Sequence, residues 1–317
     1  MENVAIIDMG SARTKVAIMQ NIDHVVLRLK DETGLSDHVN DKKELDTSYL
    51  TYNVLPKLSE YVDQAKASGC KRLLTIGTHI FRNVSNSSEV KELIETQVGK
   101  LNVIEGWLEG AIFYSWMTEL KGENDLLVID IGGGSVQIAT NSSQSGILSL
   151  PTGTFSLEKE FQNSKEFATQ NEISRMQDYV KSQLDSKINT NSYRPRIAIM
   201  GSNCMQEFIA SSLNHMHEKG LRKNISDGSE IDLEDAIAIF DEIKCKDYNS
   251  LAQYYPKNKF FMYGADKALL NLIEICKYYR ISKIQPTNES VSSALLSLLS
   301  RHPEKLLEFG IKYHPIS

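Results

Sequence analysis

The stretch "LLVIDIGGGSVQIAT", residues 126–140, decides how this chain folds. An apolar run ends in Asp130, three glycines and a serine follow, and a second alternating run begins at Val136. Two strands with a turn between them read this way. A two-residue hairpin turn is usually Asn-Gly or Gly-X, however, and needs no run of three glycines. Such a run loses backbone entropy on ordering. It provides a turn without Cβ atoms, whose N–H groups can come close to a ligand, and a concave set of amides suits a phosphate. An aspartate beside a phosphate repels it unless a cation such as Mg2+ lies between them. The stretch therefore reads as a phosphate and metal loop, with a ligand-free glycine turn as the competing reading.

The same arrangement occurs twice. "AIIDMGSARTKVAI" (5–18) aligns with "LVIDIGGGSVQIAT" (127–140), placing Asp8 on Asp130 and Gly10 on Gly132, both 122 positions apart. "RLLTIGT" (72–78) aligns with "RIAIMGS" (196–202), placing Gly77 on Gly201 and Thr78 on Ser202, 124 positions apart. Two matches at nearly one offset indicate two copies of an α/β unit of about 120 residues. Each copy begins with a strand that ends in Asp-x-Gly, turns, and resumes as an alternating strand.

The remaining pattern agrees. Strands are expected at 3–8, 14–20, 24–30, 72–77, 101–105, 196–201 and 283–286. Helices are expected in the region 44–67, broken or restarted at Pro56, and near 107–120, 154–162, 171–186, 202–217, 232–245, 263–279 and 288–301. "NSSEVKELIETQVG" (86–99) reads as a helix with Asn86 as N-cap, Glu89 three residues on in capping-box spacing, and Gly99 closing it. "KGEND" (121–125) is the expected hinge. Strands alternating with helices argue an α/β chain. The expected domains are 1–122, with the C-terminal helices in 288–317 as a candidate completion, and 123–287. Two loops facing each other across a cleft between such domains could hold phosphate through amides from both sides and a metal through Asp8 and Asp130.

Composition bounds the function. The chain has 317 residues, 41% hydrophobic and 24% charged, which is ordinary for a globular protein. A net charge of −6 speaks against broad nucleic-acid binding. "MENVAIIDMG" lacks the basic segment and apolar core of a signal peptide, and no apolar run approaches a membrane span. Cys70, Cys204, Cys245 and Cys276 are far apart and form no CxxC, which fits free thiols in a reducing cytoplasm, the expected location. His215 and His217 are two apart and share no helix face, so no zinc site is assigned.

The paired strand–Asp-x-Gly hairpins resemble the actin and sugar-kinase superfamily, in which each of two ribonuclease H-like domains supplies one phosphate loop. Within it the chain resembles the exopolyphosphatase and guanosine pentaphosphate phosphatase (Ppx/GppA) family. The resemblance is carried by "IIDMGSARTKVAI" (6–18), "IGTHIFRNVSN" (76–86), "VIEGWLEGAIFY" (103–114), "VIDIGGGSVQIA" (128–139) and "LSLPTGTFSL" (148–157). It implies a fold of two duplicated actin-like domains and hydrolysis of a phosphoanhydride, releasing terminal phosphate from polyphosphate or a guanosine polyphosphate-type nucleotide. It further implies Mg2+ or Mn2+ as cofactor, a homodimer as assembly, and no nucleic-acid or membrane partner. Glu109 falls at the family's catalytic glutamate, which orients or deprotonates the attacking water, and Arg82 at its phosphate-binding arginine. Without the resemblance, Glu109 reads as a solvated helix position and Arg82 as a surface ion pair. Asn86 would orient that arginine or cap the next helix. Gly10, Ser11, Gly132, Gly133, Gly134, Ser135 and Gly153 would cradle phosphate, and Asp8 and Asp130 would hold the metal.

The chain also departs from the family. Ala12 and Arg13 stand where the family has Asn and Ser, and Arg13 adds a cation that could contact phosphate. Val136 and Gln137 stand where it has Thr and Glu, so a neutral carbonyl at Gln137 replaces a carboxylate at a metal position, a weaker ligand for a hard cation. Leu108 replaces an acidic neighbour of Glu109, Cys204 replaces a glycine in "GSNCM" (201–205), and "PTNESVSSALL" (286–296) lacks glycines. A member of low or no activity that binds a polyanion or nucleotide as a sensor is the alternative these changes keep open.

Overall fold

The computed structural model describes residues 2–20, 24–164, 166–187, 195–202 and 204–316. The chain divides into two compact units, Met1–Glu109 with Val291–Ser317, and Gly110–Ser290. The first boundary falls inside the helix Gly106–Lys121, upstream of the polar 121–125 stretch, because the helix runs through it unbroken.

The first unit opens with an antiparallel meander, β1 (Asn3–Met9), β2 (Arg13–Gln20) and β3 (His24–Glu32). β4 (Cys70–Gly77) lies parallel to β1, and β5 (Leu101–Val103) parallel to β4. The second unit repeats this with β6 (Leu126–Ile131), β7 (Val136–Ala139) and β8 (Ile147–Leu150) as the meander. β9 (Ile197–Gly201) follows parallel to β6, β10 (Ile231–Asp232) is a short edge strand, and β11 (Lys283–Thr287) lies parallel to β9. The orders β3-β2-β1-β4-β5 and β8-β7-β6-β9-β11 are one ribonuclease H-like topology used twice. Register repeats as well. Asp8 pairs with Lys15 and Asp130 with Gln137, and each hairpin closes with one bond, Gly10 N to Arg13 O at 2.9 Å and Gly132 N to Ser135 O at 3.0 Å.

Alternation along β1 decides what each face meets. Ala5, Ile7 and Met9 join the core under the helices Leu55–Ala67 and Ser87–Val98. Val4, Ile6 and Asp8 point the other way, under the helix Val291–Arg301, which packs on β1, β2 and β4. Pro56 sits in the first turn of the helix Leu55–Ala67, after a π-helical turn at Leu50–Val54, so it starts a helix rather than breaking one. The edge of β4 is shared by β5 and by β12 (His314–Pro315), and the side chain of Asn102 fastens this end of the chain. Its Nδ2 donates to Lys312 O at 2.7 Å, and its Oδ1 accepts from Lys312 N at 2.8 Å.

The capping box expected at Asn86 does not form. The residue precedes the helix Ser87–Val98 but makes no cap bond. Its carboxamide accepts from Leu45 N at 3.0 Å and donates to Leu45 O at 2.9 Å, satisfying both backbone groups of an otherwise unpaired loop residue. It therefore contacts neither the helix amides nor Arg82. The four cysteines are free, and among the described residues no helix is long and apolar enough to cross a membrane. In the 201–205 turn, residue 203 lies outside the described residues.

Candidate active site

In the first unit, two neighbouring parallel strands end side by side and deliver the two residues expected to act on phosphate. β4 ends at Gly77, where a Cβ would lie 2.6 Å from the Phe81 ring, so only glycine lets the chain turn this tightly. Thr78 N donates to Met9 O at 3.3 Å, and the helix His79–Asn83 then presents Arg82. Beyond β5, Ile104 N donates to Gly77 O at 3.1 Å, and Glu109 stands in the first turn of the helix Gly106–Lys121. The Arg82 guanidinium donates through Nη1 to both Glu109 Oε1 and Ile104 O. The two side chains are only 13% and 7% exposed. The solvated position that helical context alone suggests for Glu109 is thus replaced by a buried one. His79 lies one helical turn before Arg82. Burial first, and the Arg82 charge second, push its imidazole down to about 4, so it is neutral at neutral pH.

The first hairpin turn holds Gly10 and a buried Ser11. Its carbonyls are taken from behind: Gly34 N donates to Ala12 O and Ser36 N to Ser11 O, both at 2.8 Å. Arg13 donates through Nε to both carboxylate oxygens of Glu32, at 2.8 and 2.9 Å, so its side chain reaches from β2 to the end of β3. Asp8 accepts the Ser292 hydroxyl at Oδ2, and Lys15 Nζ lies 3.8 Å from the same oxygen.

The second hairpin turn is the triple-glycine loop. Thr154 N donates to Gly132 O at 3.1 Å, Phe155 N to Gly133 O at 2.9 Å, and Ser156 Oγ to Gly134 O at 2.8 Å. The loop's carbonyls thus face the start of the helix Thr154–Phe161. The N–H groups of Gly133, Gly134 and Ser135 have no acceptor among the described residues. This is the polarity an anion needs. Gly153 backs onto the loop, where a Cβ would collide with Gly133 O, Gly134 C and Ser135 N. Gln137 lies across the ladder from Asp130 and is buried, with Nε2 donating to Ser135 Oγ at 2.8 Å and Ser149 Oγ at 3.2 Å.

Within the first unit the structure therefore joins Arg82 to Glu109. Within the second it joins Gly132, Gly133, Gly134, Ser135, Gly153 and Gln137. Sequence reasoning missed Lys15, Ser292 and His79. It also missed a third repeat match, Thr33-Gly34 with Thr152-Gly153, although "ETGLS" and "PTGTF" stand in plain view. Both pairs follow the third strand of a meander, both threonines are buried, and both glycines sit behind a hairpin turn.

Among the described residues no three His, Cys, Asp or Glu side chains gather to hold a metal. Mg2+ usually keeps several waters and binds through one or two carboxylates plus substrate phosphates. Asp8 in the first unit and Asp130 in the second would each offer one such carboxylate at the end of its hairpin strand. The amide of Gln137, held by two serines, adds no charge.

A model of the Ppx/GppA phosphatase family matches residues 15–279. No curated protein matches the chain. The solved structures similar to it include these three. The Aquifex aeolicus member of the Ppx/GppA family is 16% identical with a TM-score of 0.73, covering 98% of this chain and 99% of that one. An exopolyphosphatase from Cytophaga hutchinsonii is 17% identical with a TM-score of 0.74 and the same coverage. An exopolyphosphatase-like protein is 18% identical with a TM-score of 0.74, covering 96% and 99%. At such identities the likeness is one of fold.

Proposed function

This chain belongs to the Ppx/GppA phosphatase family, and from that premise we propose that it releases the terminal phosphate of polyphosphate or of a phosphorylated nucleotide by attack of a water oriented by Glu109. Membership makes it a hydrolase of phosphoanhydrides; the proposal concerns the bond broken and the residues that act. The observation that carries it is the buried Arg82–Glu109 pair at the ends of adjacent strands. Phosphoryl transfer asks little covalent chemistry of a protein, mainly positioning, charge neutralisation and an oriented nucleophile. The planar guanidinium of Arg82 suits two phosphoryl oxygens at once and offsets charge that develops during transfer. Glu109, held by that guanidinium, would accept the hydrogen bond of the attacking water and take its proton. The free amides of Gly133, Gly134 and Ser135 would bind a phosphate. Mg2+ or Mn2+ entering with the substrate would lower the repulsion between its phosphates and Asp8 or Asp130.

One observation favours a second reading, a polyanion or nucleotide sensor without turnover: Gln137 is neutral and fixed between two serines. The experiment is phosphate release from a panel of polyphosphates and nucleotides with Mg2+ or Mn2+, beside Glu109→Gln. The hydrolase reading expects release by the wild type and a loss of about 10²–10⁴-fold in kcat in the variant with KM little changed. Binding without release from any substrate would establish the sensor instead.

A further inference from the structure

We propose that Asn271 and Tyr49 are positioning residues for phosphate release, one in each unit: each holds the carbonyl of a Thr-Gly pair and so sets the hairpin turn in front of it. The inference rests on the phosphatase reading above and adds to it two residues outside every stretch that carries the family resemblance. Asn271 stands in the helix Ala265–Tyr279, where every residue from Ala265 to Cys276 is buried. Its carboxamide is fully buried. Nδ2 uses both of its hydrogens, donating to Thr152 O at 2.7 Å and to Lys267 O at 3.0 Å. These two carbonyls fix which way the group points, since the amide oxygen turned toward them would face two other acceptors. Oδ1 is left buried with no partner among the described residues. A leucine of similar size would carry no such unpaired atom. What the carboxamide supplies in return is a donor for Thr152 O, which accepts no other bond among the described residues.

Thr152 O belongs to the peptide that leads into Gly153. A Cβ on Gly153 would lie 2.3 Å from Gly133 O and 2.4 Å from Gly134 C and Ser135 N. A peptide held on one side by Asn271 and packed this closely on the other cannot rotate without moving the triple-glycine loop. The orientation of the Gly133, Gly134 and Ser135 amides is thus tied to one side chain on a distant helix. The first unit meets the same need with a different group. Thr33-Gly34 is the repeat counterpart of Thr152-Gly153, and Tyr49 Oη donates to Thr33 O at 2.8 Å. Gly34 N donates in turn to Ala12 O of the first hairpin turn, also at 2.8 Å. Tyr49 is itself fixed: its ring stacks on His38 with centroids 3.4 Å apart, and its N–H donates to Asp46 Oδ1 at 3.1 Å. A carboxamide at 271 and a phenol at 49 are unrelated in sequence, and both end on the same carbonyl of the repeat. The shared element is the turn, whose groups must stay convergent to hold a phosphate and need a fixed backing to do so.

The test is steady-state phosphate release from tripolyphosphate in Mg2+, with calorimetric binding of inorganic phosphate and the urea midpoint measured on the same samples, for wild type, Asn271→Leu and Tyr49→Phe. The turns touch phosphate in the bound substrate and in the transition state alike. Loosening them should therefore raise KM about tenfold, the size of one lost hydrogen bond, with kcat changed less than about twofold. The Kd for phosphate should rise by the same factor. A residue that merely packs the fold lowers the urea midpoint and the active fraction, hence the apparent kcat and the binding stoichiometry, while KM and Kd stay at wild-type values. That result in either folded variant overturns the pair. Tyr49→Phe removes one oxygen and keeps the stacked ring, so it decides the matter should Asn271→Leu fail to fold. A wild type that binds phosphate but releases none, with Kd raised in both variants, removes the hydrolase reading and supports the positioning role. A wild type that hydrolyses, with both variants at wild-type KM and Kd, removes the positioning role and leaves the hydrolase.

Discussion

Gly153 lies against the carbonyl oxygen of Gly133 with no room for a side-chain carbon between them. The glycine of "PTGTF" is therefore required by its neighbour rather than by its own backbone angles. Gly153→Ala should push the triple-glycine loop away from the helix Thr154–Phe161 and rotate the amides of Gly133, Gly134 and Ser135 off their common target. The expected outcome is about 1–3 kcal/mol of lost stability, typical of overpacking, together with weaker phosphate binding. Urea unfolding and phosphate calorimetry measure the two. Tight phosphate binding in a stable Gly153→Ala protein would show that the loop does not receive the anion.

Removing Arg82 should harm the fold as well as the chemistry. Arg82→Ala leaves the Glu109 carboxylate buried without its partner, and breaking a buried pair in this way costs about 3–5 kcal/mol. Removing both groups avoids a buried carboxylate that has lost its guanidinium. The double variant Arg82→Ala/Glu109→Ala should therefore be more stable than Arg82→Ala alone, while neither turns over substrate. A double-mutant cycle by urea unfolding reads the coupling; additive losses would mean that the two side chains do not sense each other.

Gln137→Glu tests whether residue 137 faces the metal. The substitution sets a second carboxylate across the ladder from Asp130 and takes a donor away from Ser135 and Ser149. Without divalent ions the variant should lose about 1–3 kcal/mol, the scale for a disturbed buried polar group. Mg2+ should then raise its melting temperature more than it raises that of the wild type. Equal shifts in both proteins, followed by thermal denaturation, would place the ion elsewhere.

His79 gives the fold an acid sensitivity with a definite sign. The unfolded imidazole takes up its proton near its ordinary value of 6.5, the folded one only near about 4. Between those values the unfolded chain binds more protons, so stability falls as pH falls, whereas above 6.5 the residue is neutral in both states and contributes nothing to the slope. His79→Gln should lose less stability between about pH 7 and pH 5 than the wild type. The urea midpoint at each pH measures it, and identical slopes would assign the acid sensitivity to other groups.

The meanders were legible because β1, β2, β6 and β7 alternate with period two around Asp-x-Gly, and period two is a backbone property that sequence shows directly. Contacts that depend on distant parts of the chain were not. Glu109 looks like a solvated helix residue because the helix Gly106–Lys121 is apolar on nearly every side and gives no stripe to read; its burial depends on Arg82, which arrives on another strand. Asn86 carries every local mark of an N-cap, yet its carboxamide pairs with Leu45, 41 positions upstream, because the N–H and C=O of Leu45 itself have no other partner among the described residues. Sequence alone does not separate Lys15 from Arg13, since both lie in one strand, and only the pairing with β1 and β3 distinguishes a lysine opposite Asp8 from an arginine opposite Glu32.

The first unit is discontinuous, and this sets an order on its birth. Its sheet is covered by Val291–Arg301 and its edge is completed by His314–Pro315, fastened through Asn102 to Lys312. During synthesis the ribosome makes all of Gly110–Ser290 before these residues exist. The segment that emerges first must therefore wait, with the Asp8 face of β1 uncovered, while the segment made later already has its whole sequence. Chains usually fold from the N-terminal domain onward as they are made; here the middle of the nascent polypeptide has its complete sequence before the beginning does.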